Sequence, residues 1–209
     1  MEVYGEKPKM FTKAWFGYFW MYYKVWVLLT VLALILMVSF IIDFSTPTTY
    51  DMSMMIAGNK VVTEEIKTAV QAEFSKVIDD ADGNGEKEIL LNDIFFGDSS
   101  DPQYLMAQST KYTLEMGTGD TCLYIFTKEQ ADAVLNEEGV DDTFLPVSEY
   151  AKNVPEDRLM KAMGEPYAVR IDGGELDGCV VMLRKQFDKK AVEGNFRNAK
   201  KVAAYLAER

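Results

Sequence analysis

The chain has 209 residues and a formal net charge of −11, with 48% hydrophobic residues, 26% charged residues and no histidine. This length and composition indicate one ordinary folded domain with a small additional segment, and they exclude a disordered or collagen-like chain. The lack of histidine excludes His-based triads and His-ligated zinc, and the net acidity argues against a nucleic-acid partner, because phosphate binding requires clustered Lys and Arg.

The first predicted element is a membrane-spanning helix. Between residues 25 and 42 only Thr30 and Ser39 are polar, and no residue is charged. At about 1.5 Å per residue this run covers about 27 Å, which is close to the roughly 30 Å hydrocarbon core of a bilayer. We therefore predict a transmembrane anchor over residues 25–44.

This apolar run has two alternative interpretations, a cleaved signal peptide and the buried core helix of a soluble protein. The run is longer than the apolar region of a typical signal peptide, and no A-x-A-like cleavage site follows it. Buried helices rarely extend so far without a charge and beside such a dense group of aromatic residues. The uncleaved anchor is the interpretation that we favour.

Residues 1–24 form a predicted cytoplasmic and interfacial aromatic arm. Eight aromatic residues, including all three tryptophans, occur between positions 15 and 26, and amphipathic aromatic rings favour the headgroup layer of a membrane. Four lysines precede the apolar run, whereas the first basic residue after it is Lys60. The lysines are Lys7, Lys9, Lys13 and Lys24. The positive-inside rule therefore predicts a single-pass protein of the cell membrane with a cytoplasmic N-terminus and an extracellular C-terminal domain.

Residues 45–49 form a short polar linker, and strand-like and helix-like runs alternate over residues 50–209, the predicted extracytoplasmic domain. The predicted strands cover residues 50–57, 89–95, 121–126, 167–171 and 179–183. One predicted helix follows a cap at Thr63, a second runs from Asp101-Pro102 to about residue 116, a third covers 128–136 and ends at Gly139, and the last covers 188–207. This alternation predicts a three-layer α/β domain with a mostly parallel sheet and helices on both faces.

The order of these elements resembles a single lobe of bacterial extracellular solute-binding proteins, the receptors that supply ABC transporters. Three stretches carry the resemblance. They are residues 50–70 with the following strand 88–94, residues 112–150, which pass from a helix through a Gly-Asp turn to a buried strand and a Leu-Pro segment, and residues 196–208. The resemblance implies a periplasmic-binding-protein-like lobe that binds a small ligand.

The most specific local motif is Asp80-Ala-Asp82-Gly-Asn84-Gly-Glu86, which matches the beginning of a D-x-D-x-N-G calcium loop. The side-chain oxygens of the first three named residues and the carbonyl of Glu86 are the candidate ligands, because Ca²⁺ binds about six to eight oxygens. Leu91 stands where the bidentate Glu of such a loop is expected, so the ligand set is incomplete. The alternative is a metal-free turn of Asx caps and left-handed glycines, and we favour this alternative.

Other candidate chemistry has weaker support. Cys122 and Cys179 lie in predicted strands, and they fit either an exported disulfide or two buried free thiols, of which we favour the thiols. The acidic pairs 137–138 and 141–142 are typical of a solvated surface, because acid–base catalysis needs carboxylates spaced across a cleft. The sequence also has no G-x-S-x-G frame and no phosphate-binding loop. We therefore predict that the protein is not an enzyme.

The sequence predicts a tethered binding or sensing module that recognises a small ligand or an envelope partner. The alternative is a structural accessory subunit of a membrane transporter or cell-envelope complex. Aromatic and polar side chains that converge at one end of the sheet would favour the first function, because α/β proteins bind ligands beyond the carboxyl ends of their strands. A flat surface with an exposed apolar patch would favour the second.

Overall fold

The computed structural model describes residues 10–45, 50–98, 101–186 and 193–209. The chain divides into two compact units, one that ends at Thr48 and one that covers Thr49–Arg209. The first unit contains one described helix, and the second is an α/β lobe. The beginning of the predicted arm up to residue 9, most of the predicted linker and the first five residues of the predicted last helix lie outside the described residues.

Helix α1, Lys13–Ser45, belongs to the first unit. It begins after Thr12, whose hydroxyl accepts a hydrogen bond from the Trp15 N–H at 3.3 Å, as N-terminal capping residues do. The large apolar side chains from Val25 to Val38 are mostly exposed in the isolated chain. Helix α1 therefore presents a long apolar surface between Val25 and Val38.

Measured by length and apolarity, none of the described helices qualifies alone as a membrane span. Two parts of α1, Trp15–Met21 and Tyr23–Ser39, qualify as a pair, with a bend of 74° between them. The transmembrane anchor over residues 25–44 therefore stays a prediction.

The lobe contains six described strands and five described α-helices. The strands are β1 (Met52–Gly58), β2 (Ile89–Phe95), β3 (Leu123–Phe126), β4 (Leu159–Ala162), β5 (Glu165–Arg170) and β6 (Val180–Leu183). The helices are α2 (Glu64–Phe74), α3 (Pro102–Thr118), α4 (Lys128–Leu135), α5 (Val140–Thr143) and α6 (Glu193–Glu208), with short 3₁₀ turns at Val147–Glu149 and Glu156–Arg158. The lobe is therefore α/β, as predicted.

The strands form one sheet in the order β2-β1-β3-β6-β5-β4. Strand β1 is parallel to β2 and β3, whereas the β3–β6, β6–β5 and β5–β4 pairs are antiparallel. The prediction of a mostly parallel sheet is wrong, because a parallel neighbour requires a crossover of about a dozen residues or more. Only Met163-Gly164 joins β4 to β5, and residues 171–179 join β5 to β6, so these strands reverse direction instead.

Apolar side chains cover both faces of the sheet and produce three layers. On β1, Met52, Met54 and Ile56 pack in the cluster that includes α2 and α6, whereas Met55 and Ala57 belong to the cluster that includes α3 and α4. The connection β1-α2-β2 moves toward one edge of the sheet, and β2-α3-β3 moves back. Crossovers of the same right hand in opposite directions place their helices on opposite faces.

Local capping signals predicted several helix ends correctly. The Thr63 hydroxyl accepts the Ile66 N–H at the start of α2, and the Asp101 carboxylate caps α3 ahead of Pro102. Gly139 does adopt a left-handed φ of 89°, but it precedes α5, while α4 already ends at its C-cap Asn136. The predicted helix 128–136 therefore extends one residue beyond the observed α4, and the predicted role of Gly139 at the end of that helix is wrong.

Candidate functional site

The predicted calcium loop lies at the amino edge of the sheet, where β1 and β2 begin. Three carboxylates meet there, because Asp51 directly precedes β1 and its oxygens lie with those of Asp80 and Asp82 within 4.8 Å of one another. Asp51 is only 1% exposed, whereas Asp82 is exposed. We call these three residues the carboxylate cluster. Asp51 could not be predicted as part of this cluster from the sequence, since its only local signal is an acidic residue at the start of an apolar strand.

Asp51 holds both ends of the loop through backbone hydrogen bonds. One carboxylate oxygen accepts the Ala81 N–H at 2.5 Å, and the other accepts the Glu88 N–H at 2.8 Å. A buried carboxylate requires such partners, because its charge has left water. The loop is therefore closed on the edge of the sheet by a side chain that comes from outside the motif.

Within the loop, the predicted ligands bind neighbouring backbone groups. Asp80 accepts the N–H groups of Gly83 at 2.6 Å and Gly85 at 2.8 Å, and these bonds, with that of Gly85 strongest, lower the pKa of Asp80. Asp82 accepts the Asn84 N–H at 3.0 Å. These contacts are Asx turns, which close a loop without a cation.

The structure brings together only part of the predicted ligand set. Asp80 and Asp82 join the carboxylate cluster, while the Asn84 side-chain oxygen accepts the Glu86 N–H at 2.7 Å inside the loop. Leu91 stands at the position of the expected bidentate ligand. Its side chain packs against the apolar core. With one ligand oxygen from each, the three carboxylates provide three of the six to eight oxygens that calcium usually binds.

Helix α6 supports the cluster from the other side. Asn198 is fully buried; its oxygen accepts the Asp79 N–H at 3.0 Å, and its amide donates to the carbonyls of Asp51 at 3.0 Å and Asp79 at 2.8 Å. Lys201 contacts the Asp79 carboxylate at 2.5 Å, and this hydrogen bond lowers the pKa of Asp79. The loop, β1 and α6 therefore form one polar network at the amino edge.

A second candidate site lies at the opposite, carboxyl edge. The chain leaves the adjacent strands β1 and β3 toward α2 and α4, which pack on opposite faces of the sheet. Gly58 ends β1, Thr127 follows β3, and Thr127 N–H donates to the Ala57 carbonyl at 3.1 Å. We call this group, together with the first turn of α4, the switch-point site.

In the switch-point site the Thr127 side chain lies directly against the backbone of Gly58. Gly58 has a φ of 145°, and a Cβ there would lie 2.2 Å from Thr127 Oγ1. The Thr127 hydroxyl is buried, has no hydrogen-bond partner among the described residues, and does not cap α4. The first N–H groups of a helix without a side-chain cap are available to other acceptors. The Thr127 hydroxyl and the first N–H groups of α4 therefore lie at the same edge, and no capping hydrogen bond joins them.

The two cysteines are free and buried, and the fold holds them apart. The register pairs Leu123 with Leu183 and Phe126 with Val180 across the β3–β6 pair. Cys122 and Cys179 therefore lie at opposite ends of these strands, about five residues or 17 Å apart, far beyond disulfide reach. Burial raises the pKa of both thiols, for Cys122 to about 12, so neither is a reactive thiolate in the folded lobe.

The acidic pairs 137–138 and 141–142 are exposed, as expected of a solvated surface. No protein-family model, curated protein or solved structure matches this chain. The carboxylate cluster and the switch-point site therefore carry the functional inference.

Proposed function

We propose that this chain is a single-pass, membrane-anchored binding or sensing module whose lobe recognises a small ligand or an envelope partner outside the cell. The switch-point site carries the proposal, since open α/β sheets bind ligands where adjacent strands send their connections to opposite faces. The Thr127 hydroxyl and the first turn of α4 supply polar groups at this position. The resemblance to one lobe of solute-binding proteins agrees with this function.

The direction of the chain supports the same proposal. The lobe begins at Tyr50, next to the amino edge of β1, whereas the switch-point site lies at the carboxyl edge. The tether therefore enters at the edge of the sheet opposite the proposed ligand site.

The proposed anchor is α1. No charged residue occurs between Lys24 and Asp43, and the side chains of Leu28, Leu32 and Leu36 are each more than half exposed. So large an exposed apolar surface is typical of a membrane or protein contact. Four lysines precede this segment, which supports a cytoplasmic N-terminus in the cell membrane.

A paired substitution tests the ligand site. Full-length protein in lipid nanodiscs is screened by thermal shift against amino acids, sugars, organic acids and phosphates. Asn59→Tyr adds a ring at an exposed position beside Gly58, and Glu165→Tyr adds the same ring at an exposed position on the amino edge. We expect a compound that raises the melting temperature of the parent and Glu165→Tyr but not of Asn59→Tyr, because binding stabilises the folded state.

A compound that stabilises both variants equally would place the ligand site elsewhere and contradict this proposal. A screen without any stabilising compound would also count against it. In that case recovery of the full-length protein with a multi-span protein in mild detergent would support the second candidate function.

That second candidate is a structural accessory subunit of a membrane transporter or cell-envelope complex. It is favoured by α3, which has no buried residue in the described structure. Met106 and Leu114 are 74% and 61% exposed on this helix, and Tyr104 is 39% exposed. Exposed apolar residues on one helix are typical of a protein-contact surface.

For the carboxylate cluster we propose a metal-free structural role. The loop closes through hydrogen bonds to its own backbone, and with one ligand oxygen from each the three carboxylates supply only three ligands of a calcium shell. We expect about 5 mM CaCl₂ to leave the melting temperature unchanged and calorimetry to record no binding heat. A calcium-dependent rise in melting temperature that Asp82→Asn abolishes would instead assign a calcium site, with Asp51 as an added ligand.

A further inference from the structure

A cavity of about 320 Å³ lies beside β2, the strand at one edge of the sheet. Its walls come from the chain that leads into β1, from α2 and from the start of β2, so it lies at the amino edge, opposite the switch-point site. Pockets for small molecules have volumes of about 300–1,000 Å³, and this cavity therefore suits a compact ligand. The residues that line it are Tyr50, Gln71, Lys87, Glu88 and Ile89.

A hydrogen bond within the lobe fixes the Gln71 side chain and leaves its oxygen as an acceptor. The Glu88 carbonyl accepts the Asp51 N–H at 3.0 Å and so faces β1, while the carbonyl of the next residue, Ile89, faces away from that strand. The Gln71 amide nitrogen donates to the Ile89 carbonyl at 3.0 Å. Because this bond uses the amide nitrogen, the Gln71 oxygen is the group that accepts a hydrogen bond from a ligand.

The two charged residues of the cavity differ in what they contact. The Lys87 ammonium donates to the carbonyls of Ser75 at 3.1 Å and Ile78 at 2.6 Å, just beyond the carboxyl end of α2, where a cation is favoured. The Glu88 side chain is half-buried and forms no ion pair with another described residue. The cavity therefore offers a carboxylate without a cation beside a lysine that is already bound to backbone carbonyls.

The aromatic wall and the charge of the lobe favour a cation in the same place. Tyr50 is 39% exposed, and the face of a tyrosine ring attracts organic cations. Residues 46–209 carry 30 acidic and 18 basic side chains, so the field of the lobe attracts cations and repels anions. A ring face, a carboxylate and an amide oxygen together match an ammonium group, which carries a positive charge and several N–H donors.

We propose that this cavity binds a small primary organic amine. The Glu88 carboxylate pairs with the ammonium, the Gln71 oxygen accepts one of its N–H groups, and the Tyr50 ring packs against the cation and its neighbouring carbons. The cavity is a second binding site of the lobe, beyond the proposed function, and does not depend on a ligand at the switch-point site.

A series of related compounds tests this site. Full-length protein in nanodiscs of phosphatidylcholine, a lipid without a primary amine, is titrated in a calorimeter with ethanolamine, butylamine, putrescine and phenethylamine. The amine that binds most tightly is compared with the alcohol of the same carbon skeleton, which has no positive charge. We expect the amine to bind at least about tenfold more tightly than the alcohol, because only the amine forms charge-assisted hydrogen bonds.

Glu88→Gln and Glu86→Gln form a matched pair of variants. The first removes the carboxylate that lines the cavity, whereas the second removes an exposed carboxylate two residues earlier that does not line it. We expect Glu88→Gln to weaken amine binding at least about tenfold and Glu86→Gln to bind the amine like the parent. Thermal melting of both variants checks that the fold is retained.

Equal amine affinities of Glu88→Gln and the parent would overturn the inference, and so would a series in which no amine binds. An alcohol that binds as tightly as its amine would show that the charge is not recognised and would also overturn it. Asn59→Tyr separates the two sites of the lobe. Loss of amine binding in Asn59→Tyr but not in Glu88→Gln would place the amine at the switch-point site, which overturns the second site and supports the proposed function.

Discussion

Two buried tyrosine side chains of the lobe differ in what their hydroxyl groups contact. The Tyr124 hydroxyl accepts a hydrogen bond from Arg184 Nη1 at 2.9 Å and donates to the Glu115 carbonyl at 3.4 Å. The Tyr150 hydroxyl has no partner in the described part of the chain, and burial raises its pKa. A paired hydroxyl contributes about 1 kcal/mol to stability, whereas an unpaired buried one lowers it.

Tyr150→Phe is therefore expected to leave the free energy of unfolding unchanged or raise it by up to about 1 kcal/mol, while Tyr124→Phe lowers it by about 1–2 kcal/mol. The two substitutions remove the same atom from buried side chains and differ in the hydrogen bonds that are lost. Urea unfolding followed by circular dichroism measures both values. The prediction is wrong if Tyr150→Phe proves the more destabilising of the two.

The loop at the amino edge links stability to pH through Asp80. Backbone N–H groups hold the pKa of Asp80 below its usual range in the folded lobe, and unfolding returns it to about 3.9. The unfolded chain then binds more protons between these two values. The contribution of Asp80 is therefore complete above the unfolded pKa and is lost as the pH falls through the folded pKa.

Asp80→Asn removes this titration while keeping one oxygen that accepts an N–H group. We expect the variant to be less stable than the parent near neutral pH, and we expect the difference to shrink as the pH falls below about 4. Urea unfolding at a series of pH values from about 6 to 2 measures the difference. Parallel stability curves for the two proteins would show that Asp80 contributes nothing through its charge.

Asn198 is one of the side chains that hold α6 on the lobe. Asn198 is fully buried and joins α6 to the start of β1 and to the loop through three hydrogen bonds with Asp51 and Asp79. Asn198→Ala leaves these backbone groups unpaired in the interior, so we expect a loss of about 2–3 kcal/mol. Arg197→Ala, at the exposed neighbouring position, is the control and is expected to change stability by less than about 0.5 kcal/mol.

Chemical denaturation of the two variants measures this contrast. Equal stabilities would mean that apolar packing of α6 alone holds the helix on the sheet. Val202 and Leu206, on the same face of α6, belong to the apolar cluster and supply that packing.

Most elements of the lobe could be predicted from local pattern, and the exceptions have physical causes. The strand β2 was predicted at its observed bounds, and α2 and α3 begin at their predicted caps. Strand β4 was missed because Leu159–Ala162 is a short, half-exposed run without clear alternation. It forms a strand because the Met163-Gly164 turn folds it onto β5. Pairing with a neighbour, and not its own composition, makes this segment a strand.

The lobe is expected to fold without α1. Both apolar clusters are built from residues of the unit Thr49–Arg209, on the two faces of one sheet. A fragment of residues 49–209 should therefore show one cooperative thermal transition, as small domains with their own core do. Calorimetry and near-ultraviolet circular dichroism of its tyrosines measure the transition. A broad melting profile without a heat-absorption peak would show that the lobe depends on the helix.

Only some residues of the candidate sites could be predicted from the sequence. Asp80 and Asp82 were predicted, because their spacing is a local motif, whereas Asp51 stands about thirty residues earlier and joins them only when β1 pairs with β2. Thr127 was likewise not singled out, since its position beside Gly58 arises from the pairing of β1 with β3.

The sequence by itself determined the apolar helix, the alternation of strands and helices, the helix caps and the loop motif, because these depend on residues a few positions apart. Only the tertiary structure decided the strand order, the antiparallel half of the sheet, the carboxylate cluster and the separation of Cys122 from Cys179. These features depend on contacts between distant segments. Such contacts depend on the packing of the whole core and on which connections are long enough to cross the sheet. Neither of these can be read from a pattern of neighbouring residues.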